Sequence, residues 1–124
     1  MSLLEAMADR DRDALGAMVA DGVVFNSPAT AYEGREQVVD VLTIAGGVFQ
    51  GLSASRGPVS IGPDETLTLI EAGVEGEPLN GFLLERTEGG RIAELTILLR
   101  PLGTLQTALR HIARGMAEGG GSDA

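Results

Sequence analysis

The sequence predicts an α+β fold, a cone-shaped domain whose N-terminal helices pack on a curved antiparallel sheet, with an extra helix at the C-terminus. Three observations lead there. Apolar residues recur at helical spacing up to Phe49, β-forming segments parted by short glycine turns follow as far as Arg100, and a second helical stripe begins after Pro101. Helices first and strands afterwards place the helices on one side of an antiparallel sheet. The chain's 124 residues make a single domain, large enough to bury roughly two thirds of the surface of the unfolded chain. With 44% hydrophobic but only 3% aromatic residues, the core must be built from aliphatic side chains.

The first elements are helical. Leu3, Leu4 and Met7 form one apolar group and Leu15, Met18 and Val19 a second, parted by Asp9-Arg10-Asp11-Arg12-Asp13. This reads as two short helices joined by a solvated charged turn, with Asp9 or Asp11 capping the second. Val23 to Phe25 is a short strand, and Ser27 to Glu33 a loop. A helix follows from about Arg35 to Phe49, because Val38, Val41, Leu42, Ala45 and Phe49 share one stripe. Gly46-Gly47 should fray or kink its end. Ser53 to Ile61 is a strand bulged or bent at Gly57-Pro58. Thr66 to Val74, Leu79 to Thr87 and Arg91 to Arg100 are rich in β-formers, and the turns Glu75-Gly76-Glu77-Pro78 and Glu88-Gly89-Gly90 join them as an antiparallel meander. Pro101 suits the first position of a last helix, whose stripe is Leu102, Leu105, Leu109, Ile112 and Met116. Residues 1–118 thus form one domain, and 119–124, rich in Gly and Ser, a disordered tail.

Several function classes are disfavoured by composition. A net charge of −9, with all nine basic residues arginine and scattered along the chain, argues against nucleic acid, which needs a concentrated basic surface. No apolar run approaches a membrane span, and no secretory leader is evident. Zero cysteines and one histidine give no credible transition-metal site, and no phosphate loop or dinucleotide fingerprint is present, so no cofactor is expected. A cytoplasmic location is the default expectation.

The run from Asp21 to Phe25 with Asn26-Ser27-Pro28 behind it, the helix entry Tyr32-Glu33-Gly34-Arg35-Glu36 and the hairpin Glu88-Gly89-Gly90-Arg91-Ile92 resemble, in order and spacing, the nuclear transport factor 2-like superfamily, in particular its SnoaL-like (polyketide-cyclase-like) branch. The resemblance runs from Leu3 to Leu99. It implies a curved-sheet cone with a deep pocket, and a family that includes ketosteroid isomerases, polyketide cyclases, epoxide hydrolases and non-catalytic binding or dimerisation modules, so fold alone does not assign function. The isomerase base position matches Ser27, beside Asn26; the paired-acid position falls on Phe82 by spacing, and the phenol position near Leu3. None of these residues can do the corresponding chemistry. The lone His111 is expected at a surface or interface, and reaches a pocket only if the last helix folds over it. An epoxide-hydrolase-like set would need Glu71 and Arg100 together with a second inward acid.

The remaining polar candidates carry alternatives. Asn26 either reaches a ligand carbonyl from the pocket wall or bonds its own turn, and Ser27 shares that choice. Tyr32 either points its hydroxyl into the pocket or packs at the rim. Glu71 shares a face with Leu67 and Leu69. If that face is inward, burial would raise its pKa and fit it for acid/base work; if Ile70 is inward, Glu71 faces solvent or a dimer edge. Asn80 carries the same ambiguity. The functional expectation is a binder of a small hydrophobic molecule, contacted by Asn26, Ser27, Tyr32, Asn80 and Phe82, and a homodimer through the outer face of the sheet. Two alternatives stand beside it. One is an enzyme of the cyclase, isomerase or epoxide-hydrolase type, using Glu71 on a polyketide-, steroid- or terpenoid-like substrate; the other is a dimerisation module.

Overall fold

The structure is a computed structural model that describes the backbone of residues 1–122 and the side chains of residues 1–118. Of the tail expected to be disordered over 119–124, the backbone of 119–122 continues the last helix, and 123–124 lie outside the described residues. Two short helices open the chain, α1 (Leu3–Ala8) and α2 (Arg12–Met18), then come strands β1 (Val19–Asn26) and β2 (Ala31–Glu33) and helix α3 (Arg35–Val48). Strands β3 (Gln50–Gly62), β4 (Glu65–Val74), β5 (Glu77–Glu88) and β6 (Arg91–Arg100) lead to α4 (Leu102–Ser122).

Local chemistry explains the element ends. Ser2 and Glu5 form a reciprocal capping box on α1, and the Asp11 carboxylate accepts from the Ala14 N–H at 3.0 Å to start α2, each satisfying an N–H that a helix start leaves free. Arg35 fastens the start of α3 to β1, with Nη2 donating to the Val19 carbonyl at 3.0 Å and Nη1 pairing with Asp21 at 2.6 Å. The β4–β5 and β5–β6 turns place Glu75 and Gly76 at φ 51° and 80° and Gly89 and Gly90 at 57° and 81°, the positive-φ pairs that match a hairpin's twist.

Six strands form one sheet in the order β2-β1-β6-β5-β4-β3. The sheet is mixed, where the sequence suggested a wholly antiparallel one: β1 runs parallel to β6, with Phe25 opposite Leu95 and Asn26 opposite Thr96. The connection between them passes through α3 and the whole meander, long enough to bring two parallel strands side by side. Nothing near β1 in the chain announces that partner. β2, inside the segment read as a loop, pairs antiparallel with β1. Gly46-Gly47, expected to fray or kink the end of α3, are helical in a helix that continues through Val48; α1 crosses so close to Gly46 that only glycine fits there.

Register sorts the side chains. Phe25, Leu95, Glu85 and Thr66 lie in one row across the sheet, and the neighbouring row is Asn26, Thr96, Leu84 and Leu67. The first row belongs to the inner face with Ile70, Leu83 and Ile97, which are buried against α1 and α3 together with Met7, Leu15 and Leu42. The second belongs to the outer face, where Leu69 (39% exposed) and Leu98 (46%) stay open to solvent.

Candidate functional site

Inside the cone, between the inner face of the sheet and the helices, lies a cavity of about 230 Å³. Met7 of α1, Phe25 of β1, Val41 and Ala45 of α3 and Ile97 and Leu99 of β6 form its walls, and Ser27, Pro28, Ala29 and Tyr32 its lip. The roof is α4, through Leu105, Leu109, Ile112 and Ala113. That helix lies over the cavity because its apolar stripe recurs at helical spacing, while the opposite side carries Gln106, Arg110 and Arg114, all exposed. Among the described residues, no lining side chain is a carboxylate, imidazole, guanidinium or amine. The lip holds two hydroxyls. Ser27 Oγ donates to the Thr30 carbonyl at 2.7 Å and accepts from the N–H groups of Ala29 and Thr30 at 3.2 and 3.0 Å, so its bonds go to the turn. The Tyr32 ring stacks on Phe25, centroids 6.0 Å apart and planes 23° apart, and its hydroxyl has no hydrogen-bond partner among the described residues.

Of the residues singled out in the sequence, the structure brings Ser27 and Tyr32 to the cavity and leaves the other four away from it. Asn26 points from the outer face, its Nδ2 donating to Glu94 Oε2 at 3.0 Å and to Thr96 Oγ1 at 3.1 Å. Glu71 and Asn80 face each other across β4 and β5 and are both exposed, because Thr68, Ile70 and Val74 take the buried positions of β4. Placing Glu71 beside Leu67 and Leu69 was sound, but that face is the outer one. Arg100 lies opposite Asn80 in the same outer row, so Glu71 and Arg100 bring no polar cluster to the cavity. Phe82 also occupies the outer face, opposite Leu69 and Leu98, so it neither supplies nor blocks anything inside. The last helix does fold over the mouth, yet His111 turns aside to Glu75 of the β4–β5 turn, Nε2 to Oε2 2.7 Å.

One inward acid escaped the sequence reading. Glu85 lies on the inner face between Leu95 and Thr66, and burial raises its pKa above the usual carboxylate value. It is outside the cavity lining. Alternation from Leu83 could have found it, since residues two apart on a strand share a face.

The comparisons with known proteins agree with this geometry. A family model described as the SnoaL-like domain matches residues 2–95. The chain belongs to the SnoaL-like family. Among solved structures, a steroid delta-isomerase from Pseudomonas aeruginosa superposes with a TM-score of 0.83 at 26% identity, over 92% of this chain and 85% of that one. A protein with a cystatin-like fold from Silicibacter pomeroyi gives a TM-score of 0.83 at 24% identity, over 90% and 80% of the two chains. A Catenulispora acidiphila protein with a ketosteroid isomerase-like fold, solved in complex with trimethylamine, gives 0.66 at 15% identity, over 85% and 86%. No curated protein sequence matches the chain. In this SnoaL-like protein the matched stretch ends at Leu95, within β6, so most of the cavity's walls lie inside it and the roof, α4, lies beyond it. No helix among the described residues is long and apolar enough to cross a membrane.

Proposed function

We propose that the protein binds one small hydrophobic molecule in the cavity beneath α4. The observation that carries this reading is the cavity itself, about 230 Å³ lined mostly by aliphatic and aromatic side chains. A void of that size in a natural core costs stability, and it is retained while α4 covers it with an apolar stripe. The walls favour binding over catalysis of the isomerase kind: proton transfer at carbon needs a positioned acid or base within hydrogen-bond reach of the substrate, and among the described lining residues the Tyr32 phenol is the one ionisable group, with no carboxylate or imidazole to act as base. The likeness to a steroid delta-isomerase supports a pocket of related origin. Calorimetric titration with naphthalene tests the reading. One molecule should bind per chain, and Ala45→Leu, which fills part of the cavity, should weaken binding at least tenfold without lowering the melting temperature. Equal binding by the filled variant would refute it.

The outer face supports a second element of the reading, a homodimer. Val59 (53% exposed), Leu69 (39%) and Leu98 (46%) join Leu67, Phe82 and Leu84 in an apolar patch across β3 to β6, and exposed patches of this kind mark interaction surfaces. Sedimentation should give a dimer for the natural chain and a monomer for Leu69→Glu; a monomeric natural chain would remove the dimer and leave the cavity reading intact.

A further inference from the structure

The dimensions and polarity of the cavity narrow the chemistry of its occupant, a step that rests on the proposed binding function. An apolar cavity of about 150 Å³ holds benzene. On that scale the 230 Å³ here take about nine or ten heavy atoms, the size of two fused six-membered rings. A four-ring skeleton of about twenty heavy atoms would ask for about 500 Å³ on the same scale, more than the cavity offers with α4 in place. Charge is disfavoured as strongly as bulk. Among the described residues no ionisable group except the Tyr32 phenol lines the wall, so a charged ligand would lose its hydration without gaining a partner.

Polarity is limited to a single point. The Ser27 hydroxyl has spent its one proton on the Thr30 carbonyl and accepts two backbone N–H groups. That leaves the Tyr32 hydroxyl as the one lining side-chain group free to bond, among the described residues, on a ring that Phe25 holds by stacking. A ligand with no oxygen would forgo a hydrogen bond to that hydroxyl, and a ligand with several would bury polar atoms of its own unmatched, which is costly. We infer that the cavity takes an uncharged molecule of about ten heavy atoms bearing one hydroxyl or carbonyl oxygen, and that Tyr32 holds this oxygen.

The experiment is a calorimetric titration of the full chain and of Tyr32→Phe with 2-naphthol, naphthalene and testosterone. The phenylalanine keeps the ring and its stacking and removes only the hydroxyl, and its unliganded melting temperature is measured alongside. Tyr32→Phe is expected to weaken 2-naphthol about fivefold, the worth of one neutral hydrogen bond, and to leave naphthalene within about twofold, a comparison that isolates the hydroxyl. Testosterone should bind at least tenfold more weakly than 2-naphthol. Equal losses for 2-naphthol and naphthalene, or no loss for either, would overturn the role of Tyr32. Testosterone binding as tightly as 2-naphthol would overturn the size class and leave the cavity reading standing. Failure of all three probes to bind would bring down the cavity reading as well.

Discussion

Replacing Gly46 by alanine sets a methyl group against the backbone of α1. A Cβ built at Gly46 lies 1.8 Å from the Met7 carbonyl oxygen, 2.6 Å from its carbon and 3.3 Å from its Cα. All three are backbone atoms, so no side chain can swing aside. To reach 3.0 Å, below which real contacts essentially never fall, α1 and α3 must separate by roughly 1.2 Å. Overpacking of this kind costs about 1–3 kcal/mol and at times more, and a clash with rigid backbone belongs at the upper end. Alanine returns up to about 1 kcal/mol of helix propensity. The net is a loss of about 2 kcal/mol, near 8 °C in melting temperature for a domain of this size. Gly47 is the internal control, because the nearest atoms to its Cβ would be the guanidinium end of Arg10 at 3.3 Å. That flexible end can move, so Gly47→Ala should leave stability unchanged or raise it by up to about 1 kcal/mol. Urea unfolding of the two variants beside the natural chain decides the matter. If Gly46→Ala lies within about 0.5 kcal/mol of the natural chain, or if the two alanines behave alike, the close crossing of α1 and α3 is wrong. Met7 and Ala45 both line the cavity, so the same error would undercut its shape.

Two further variants test the sorting of residues between the faces. Asn26→Ala removes hydrogen bonds to Glu94 and Thr96 on the outer face and should cost about 1 kcal/mol of stability while leaving naphthalene affinity unchanged; a large loss of affinity would return Asn26 to the site. Glu85 has its folded pKa raised by burial, so the folded protein binds a proton more readily than the unfolded chain. Its carboxylate therefore lowers stability as pH rises from the ordinary carboxylate value of 4.5 upwards. Glu85→Gln should be more stable than the natural chain at pH 7, with the advantage shrinking as pH falls towards 4.5 and levelling off below it. A pH-independent difference in thermal unfolding would contradict its inward, desolvated placement.

Much of the fold was legible because local chemistry governs it. The α3 stripe, the glycine turns and the Pro101 helix start each depend on a few neighbouring residues, and each lies within a residue or so of its expected place. The parallel pairing of β1 with β6 was not legible, because it joins segments far apart in the chain and nothing in Val23-Val24-Phe25 names its partner. The face of β4 was illegible for a different reason. Alternation gives the residues that share a face and leaves open which face is inside, and both faces of Thr66 to Ala72 carry apolar residues because the outer surface is apolar as well. A single step of parity carried Glu71, Asn80 and Phe82 out of the site. Tyr32 and Ser27 reach the lip because the turn at Pro28 and the entry of α3 hold them there, and neither depends on that parity.

The most direct test of binding in the cavity is a methyl-resolved NMR titration of the full chain with naphthalene. Occupation of the cavity predicts saturable shifts at the methyl groups of Ile97, Leu105, Leu109 and Ile112, which line it, with the outer-face methyls of Leu67, Leu69 and Leu98 unmoved. Shifts confined to that outer face, or none at the four lining residues at saturating naphthalene, would contradict it.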